Sequence, residues 1–189
     1  MKKTILLISA LSLTGCASMT DVMDGASGMG KLSVDQNSFD NETIISLTPD
    51  TLYNPEASIF NPVSARIGAV WASKAPNFVN LAFQQDGGYV RFQEVSFKVD
   101  GITKTYNTGL SDLDFDQTKL SGMKSTAYAL IPISDFKNLL SAKTCQLKIE
   151  KDSGYELADC TMDRIPGGKK TAILGFREML TEIENQTSK

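Results

Sequence analysis

Few side chains in this chain could do chemistry, and one absence narrows them further: the 189 residues include no histidine. That removes the usual general base near neutral pH, the commonest metal ligand, and any Ser-His-Asp or Cys-His arrangement. Carboxylates remain. Asp112, Asp114 and Asp116 alternate in a polar stretch, with the spacing at which calcium loops begin. A loop of the EF-hand type would then want Gly at 117 and a bidentate Glu at 123, but Gln117 and Met123 stand there. The three aspartates are therefore weak calcium candidates, and a solvated acidic loop is the simpler account of them. No cofactor is expected, and zinc lacks ligands in a chain without histidine whose cysteines are otherwise engaged.

Two local patterns could suggest an enzyme. Ser134-Asp135-Phe136-Lys137 fits the Ser-x-x-Lys of serine β-lactamases and penicillin-binding proteins, in which the lysine helps activate the serine one turn away. The companion Ser-Asp-Asn and Lys-Thr-Gly elements are missing, and Ser121-Gly122-Met123-Lys124 matches just as well. Ser134 is better read as a helix N-cap. Gly167-Gly168-Lys169-Lys170-Thr171 looks like a phosphate loop, but Asp163 occupies the place of its first glycine and Lys170 that of the magnesium-binding hydroxyl. A flexible basic loop before a helix explains it better, with some pull on anions left to the helix N-terminus.

The remaining reactive residue is Cys16. Met1-Lys2-Lys3 is a basic start, and Thr4 to Ser12 is an apolar core of about nine residues, too short to span a ~30 Å hydrocarbon layer. Leu13-Thr14-Gly15-Cys16 follows. This stretch resembles the bacterial lipoprotein signal peptide with its Leu-(Ala/Ser/Thr)-Gly-Cys lipobox. The resemblance covers only the leader and implies cleavage before Cys16, with acylation of its thiol and new amine. Two or more acyl chains hold a protein stably in a bilayer where one holds it marginally. Ala17, where enteric lipoproteins retained at the inner membrane carry Asp, implies an outer-membrane address on the periplasmic face of a Gram-negative envelope.

These residues set the organisation: a leader over 1–15, the lipidated cysteine and a Gly-, Ser- and Met-rich tether over 16–31, and one domain over 32–189. Without Lys2 and Lys3, 17 basic residues face 22 acidic ones, a net charge of −5. Nucleic acid is therefore not an expected partner, because it needs a basic face. Period-two segments over 32–38, 43–47, 66–73, 78–84, 89–99, 102–106 and 125–131 predict a mostly antiparallel sheet or sandwich. Pro49 to Pro62, with three prolines, predicts a loop, and Asp100-Gly101 is the strongest hairpin turn. Phe136, Leu139 and Leu140 predict a short helix over 135–142, and Ile173, Phe176, Leu180 and Ile183, supported by Met179, one over 171–185. The fold class is α+β.

With Cys16 taken by lipid in an oxidising compartment, Cys145 and Cys160 should pair. Register points the same way. A two-residue turn at Asp152-Ser153 pairs Lys151 with Gly154, and six residues on it sets Cys145 opposite Cys160, as a non-hydrogen-bonded pair. The same register awkwardly opposes Ile149 to Glu156, and a one-residue change in the turn would split the cysteines.

Two functional classes follow. The first is a membrane-anchored, non-enzymatic envelope module that binds a protein or peptidoglycan. The alternative is a hydrolase using carboxylates, which need no histidine. A concave cleft holding two converging acids, one with a raised pKa, would favour the enzyme.

Overall fold

The computed structural model describes residues 28–55, 65–109, 112–115 and 123–188. The leader, Cys16 and most of the tether lie outside them. Among the described residues there are ten strands and two helices: β1 (Leu32–Asn37), β2 (Glu42–Thr51), β3 (Ala65–Ala72), β4 (Phe78–Asp86), β5 (Phe92–Val99), β6 (Ile102–Asn107), β7 (Asp112–Phe115), β8 (Met123–Pro132), α1 (Ile133–Ser141), β9 (Cys145–Lys151), β10 (Gly154–Asp159) and α2 (Ala172–Thr187). They form two antiparallel sheets, a large one in the order β1-β2-β3-β4-β8-β7 and a small one in the order β10-β9-β5-β6. The result is a sandwich-like α+β domain. No helix among the described residues is long and apolar enough to cross a membrane.

Alternation decides which face of the large sheet is buried. Leu47, Ala69, Leu81 and Ala129 oppose one another across four strands, and all four are buried. Ile45 and Trp71 make the neighbouring pair, and Ile67, Phe83 and Ala127 the row on the other side. One part of this face packs on the small sheet, with the Phe83 and Phe92 rings 6.5 Å apart. Helix α2 covers β1, β2 and β3. It comes close because of Gly175: a Cβ there would stand 2.8 Å from both methyl groups of Leu47. Helix α1 joins α2 through Phe136 and Phe176, edge to face at 5.3 Å.

The structure corrects five expectations, the last of them the hydrogen-bonding kind of the cysteine pair. Strand β2 runs on through Pro49 to Thr51 instead of giving way to a loop. A register shift between Leu47 and Asp50 makes room for a residue that has no N–H to donate. Gly68 on β3 permits the bulge, since a Cβ there would lie 2.5 Å from the Leu47 carbonyl oxygen. The rest of the expected loop, residues 56–64, lies outside the described residues.

Ser134 is not the N-cap of α1. Pro132 holds that place, and Ser134 is an exposed residue of the first turn. The orphan N–H of Ile133 is satisfied by the Asn77 carbonyl at 2.8 Å. Asp112 to Phe115 form an edge strand on β8, not a loop. In α2 the buried stripe is Ala172, Ile173, Gly175, Phe176, Met179 and Ile183, while Leu180 sits at its partly buried margin.

The β9–β10 hairpin keeps the expected register, with Lys151 opposite Gly154. Cys145 and Cys160 form a disulfide with Cα atoms 5.1 Å apart. The pair is of the hydrogen-bonded kind, because the Cys160 N–H donates to the Cys145 carbonyl at 3.1 Å. The awkward Glu156 has a use. It accepts from the Ala65 N–H at 3.0 Å and pairs with Lys151, whose ammonium also reaches Gln85 at 3.0 Å. Both side chains are largely buried, so this pair ties the small sheet to β3 and β4.

Met179→Asp should leave a buried carboxylate without a partner and unfold the domain, whereas Leu180→Asp should cost much less. Circular dichroism melts of the two variants check the placement of the stripe. Reducing the disulfide, which closes a loop of 15 residues, should cost at most about 3 kcal/mol in urea unfolding with and without reductant.

Candidate binding groove

The Asp100-Gly101 turn has positive φ at both residues, 46° and 88°, which fits the right-handed twist of the strands it joins. It folds β6 back on β5, opposing Val99 to Ile102, Phe97 to Lys104 and Val95 to Tyr106. Val95 and Phe97 are core residues, so Ile102, Lys104 and Tyr106 share the inner face of the small sheet. Strand β6 is the edge of that sheet. These three side chains therefore overhang the border of the sandwich and face α1. A groove of about 270 Å³ lies between them, with Leu139, Asn138 and Ser141 of α1 on the far wall and Phe97, Val99 and Ile131 toward the core. Ile102 is 68% exposed at its rim.

A charged cluster crosses the groove, and Asp100 lines it at the turn. Asp135 of α1 accepts from the Tyr106 hydroxyl at 2.6 Å and pairs with the Lys104 ammonium. The Lys104 hydrogen bond, then that of Tyr106, holds the Asp135 carboxyl below the ordinary range against the opposing effect of burial. Burial, then the bond to Asp135, pushes the Tyr106 hydroxyl well above its usual value. An acid or base working near neutral pH needs shifts in the opposite directions. The cluster therefore acts as a latch between β6 and α1, with the Tyr106 ring packed 6.3 Å from Phe97.

The candidates singled out in the sequence are not gathered at this groove, apart from Asp135 inside the Ser-x-x-Lys match. Lys137 is turned to Glu184 of α2 at 2.7 Å, and Ser134 is exposed. The 166–170 loop closes on itself: Gly168 N–H donates to Ile165 O, Ile165 N–H to Lys169 O, and Arg164 to the Gly168 carbonyl. The Thr171 hydroxyl donates to Met162 O, and the buried Asp50 shares a small cavity with Lys170, Thr171 and Ala172 at the start of α2. An anion would meet that carboxylate. Asp112 and Asp114 lie on β7 at the far edge of the large sheet. Asp116 and Cys16 lie outside the described residues, and no metal-holding group of three or more His, Cys, Asp or Glu side chains occurs among the described ones.

Sequence reasoning missed Lys104 and Tyr106. A signal existed: Lys104 stands on the apolar side of an alternating strand, between Ile102 and Tyr106, where a charge needs a partner. Asp40, Asp100 and Asp135 are each pushed below the ordinary carboxylate range, chiefly by hydrogen bonds from Lys74, the Thr144 amide and Lys104 respectively. No family model matches the chain, and neither a curated protein nor a solved structure matches it.

The latch should show in acid. Because the folded pKa of Asp135 lies below its unfolded value, its stabilisation is complete above the ordinary carboxylate pKa and is lost as pH falls through the folded one. Asp135→Asn should cost about 1–2 kcal/mol near neutral pH. It should also flatten part of the stability loss as pH falls below the ordinary carboxylate range, read by denaturant unfolding across an acid series.

Proposed function

We propose that the chain is a lipid-anchored protein of a Gram-negative outer membrane, facing the periplasm, whose domain is a non-enzymatic module that binds an envelope partner. The observation that carries the binding reading is where the groove sits relative to the start of the domain. The described chain begins at Gly28, whose carbonyl accepts from the Thr48 hydroxyl at 2.6 Å, and Met29 touches Arg66. Arg66 opposes Gln84 on β4, whereas Ile131 in the groove opposes Val79. Gln84 and Val79 lie roughly 17 Å apart along β4. The groove thus opens toward the end of the sandwich opposite the one where the tether would enter. A segment of the Gly- and Ser-rich composition read over 16–31 would give a reach of roughly 20 Å between Cys16 and Gly28. A domain hung this way would present the groove to the periplasm and not to lipid.

The anchor is supported by the lipobox resemblance of Leu13-Thr14-Gly15-Cys16, and the Cys145–Cys160 disulfide suits an oxidising compartment. The hydrolase alternative would want a carboxyl group pushed up in a cleft; the two carboxyls that line this groove, Asp100 and Asp135, are both pushed down, which favours binding. Metabolic labelling with palmitate tests the anchor. Wild-type chain should incorporate label and Cys16→Ser should not, accumulating instead as unprocessed or soluble protein. An unlabelled wild type would end the lipoprotein reading.

A further inference from the structure

We propose that the groove takes an extended peptide segment of a partner protein, which adds to β6 as a fifth strand of the small sheet and sets alternate apolar side chains into the groove. This deepens the binding reading above; only the preference for a partner protein over a second copy uses the lipid anchor.

The hydrogen-bond phase of the hairpin carries the argument. In a two-residue hairpin the flanking pair, Val99 and Ile102, exchanges backbone hydrogen bonds. Two observations fix the same phase. The Asp100 N–H turns the other way, to Thr144 O at 2.9 Å, and the Thr108 N–H donates to Gln93 O at 3.1 Å. Ile102, Lys104 and Tyr106 therefore spend their backbone groups on β5. Thr103 and Thr105 belong to non-hydrogen-bonded pairs, in which side chains lie closer, and the Ser96 and Thr105 hydroxyls indeed meet at 2.7 Å. The N–H and C=O groups of Thr103 and Thr105 point out of the sheet at its edge.

A row of alternating donors and acceptors at strand spacing is complemented by another extended backbone and not by a hydrocarbon chain or a sugar ring. Beside that row lies the apolar groove of Val99, Ile102, Ile131 and Leu139. Successive residues of an added strand alternate between faces, so every second side chain would enter the groove and the others would lie over the polar outer face of Thr103 and Thr105. A second copy fits less well. Antiparallel pairing of two β6 edges inverts one copy end for end. With both standing tether end down, that would carry one Gly28 away from the bilayer that holds it.

A phage-displayed library of random 12-residue peptides, selected on the full chain in detergent micelles, tests the proposal. The enriched peptides should alternate apolar and polar residues and bind in fluorescence anisotropy. Thr103→Pro removes an outward N–H without touching the β5–β6 ladder, and proline is tolerated on such an edge. It should weaken binding at least tenfold. Ile102→Asp alters an exposed side chain at the rim, so it should leave folding intact and weaken binding as much. Equal affinity for wild type and both variants would overturn the proposal, as would a selection that enriches nothing. So would a wild-type dimer in sedimentation that Thr103→Pro converts to monomer, which would assign the edge to a second copy. Palmitate labelling reads the anchor and peptide affinity reads the groove, so each can fail without the other.

Discussion

Six strands expose more apolar face than four strands can cover, and the fold is arranged around keeping that face dry. The buried rows through Leu47, Leu81 and Phe83 run from β2 to β8. The small sheet covers one part and α2 the rest. A helix can lie close to a sheet only where its side chains are small, and Gly175 is that place, against Leu47. Glycine inside a helix costs ~1 kcal/mol relative to alanine, and here the close packing offsets it. The two layers are also joined by polar groups. Lys151 and Glu156, both nearly buried, reach from the small sheet to Gln85 and the Ala65 amide. Apolar area supplies most of the stabilisation, while such a pair fixes which strands face each other.

The same mismatch in width makes the groove. Beyond β5 the small sheet has one more strand, and its inner side chains find α1 across a gap in place of another sheet. Asp135 bridges that gap and leaves room beside it. The groove is thus the unfilled corner of a sandwich, held open at a set width by one carboxylate with two donors. Lys104 has a second effect. A charge on the inward face of an edge strand discourages indiscriminate pairing, so an added strand must tolerate it.

Features set by neighbours in the chain were legible in the sequence. The Asp100-Gly101 turn, the register about Asp152-Ser153, the disulfide and, but for Leu180, the apolar stripe of α2 each depend on short spacing, and each was read from it. Features set by distant residues were not. Pro49 stays in a strand because Gly68 lies opposite the bulge. Ser134 is not needed as a cap because Asn77 supplies the acceptor. The latch joins Lys104, Tyr106 and Asp135 from two elements that pattern alone does not place side by side. Alternation says that Lys104 faces inward, but it does not say what waits there.

The place where the chain enters the domain has a mechanical consequence. Residues ahead of β1 leave at the Thr48 end of β2, and β1 runs from there antiparallel to β2 along the sandwich. A pull between that point and the opposite end of the molecule runs along the strand axis. The bonds from Leu32 to Asn37 would then be loaded together, in shear, and would have to fail together. A pull at right angles would peel β1 away one bond at a time, starting at Lys31 and Thr48. The outermost strand of the large sheet is thus strong in one direction and weak in another, and the strong direction is the one that links the two ends of the domain.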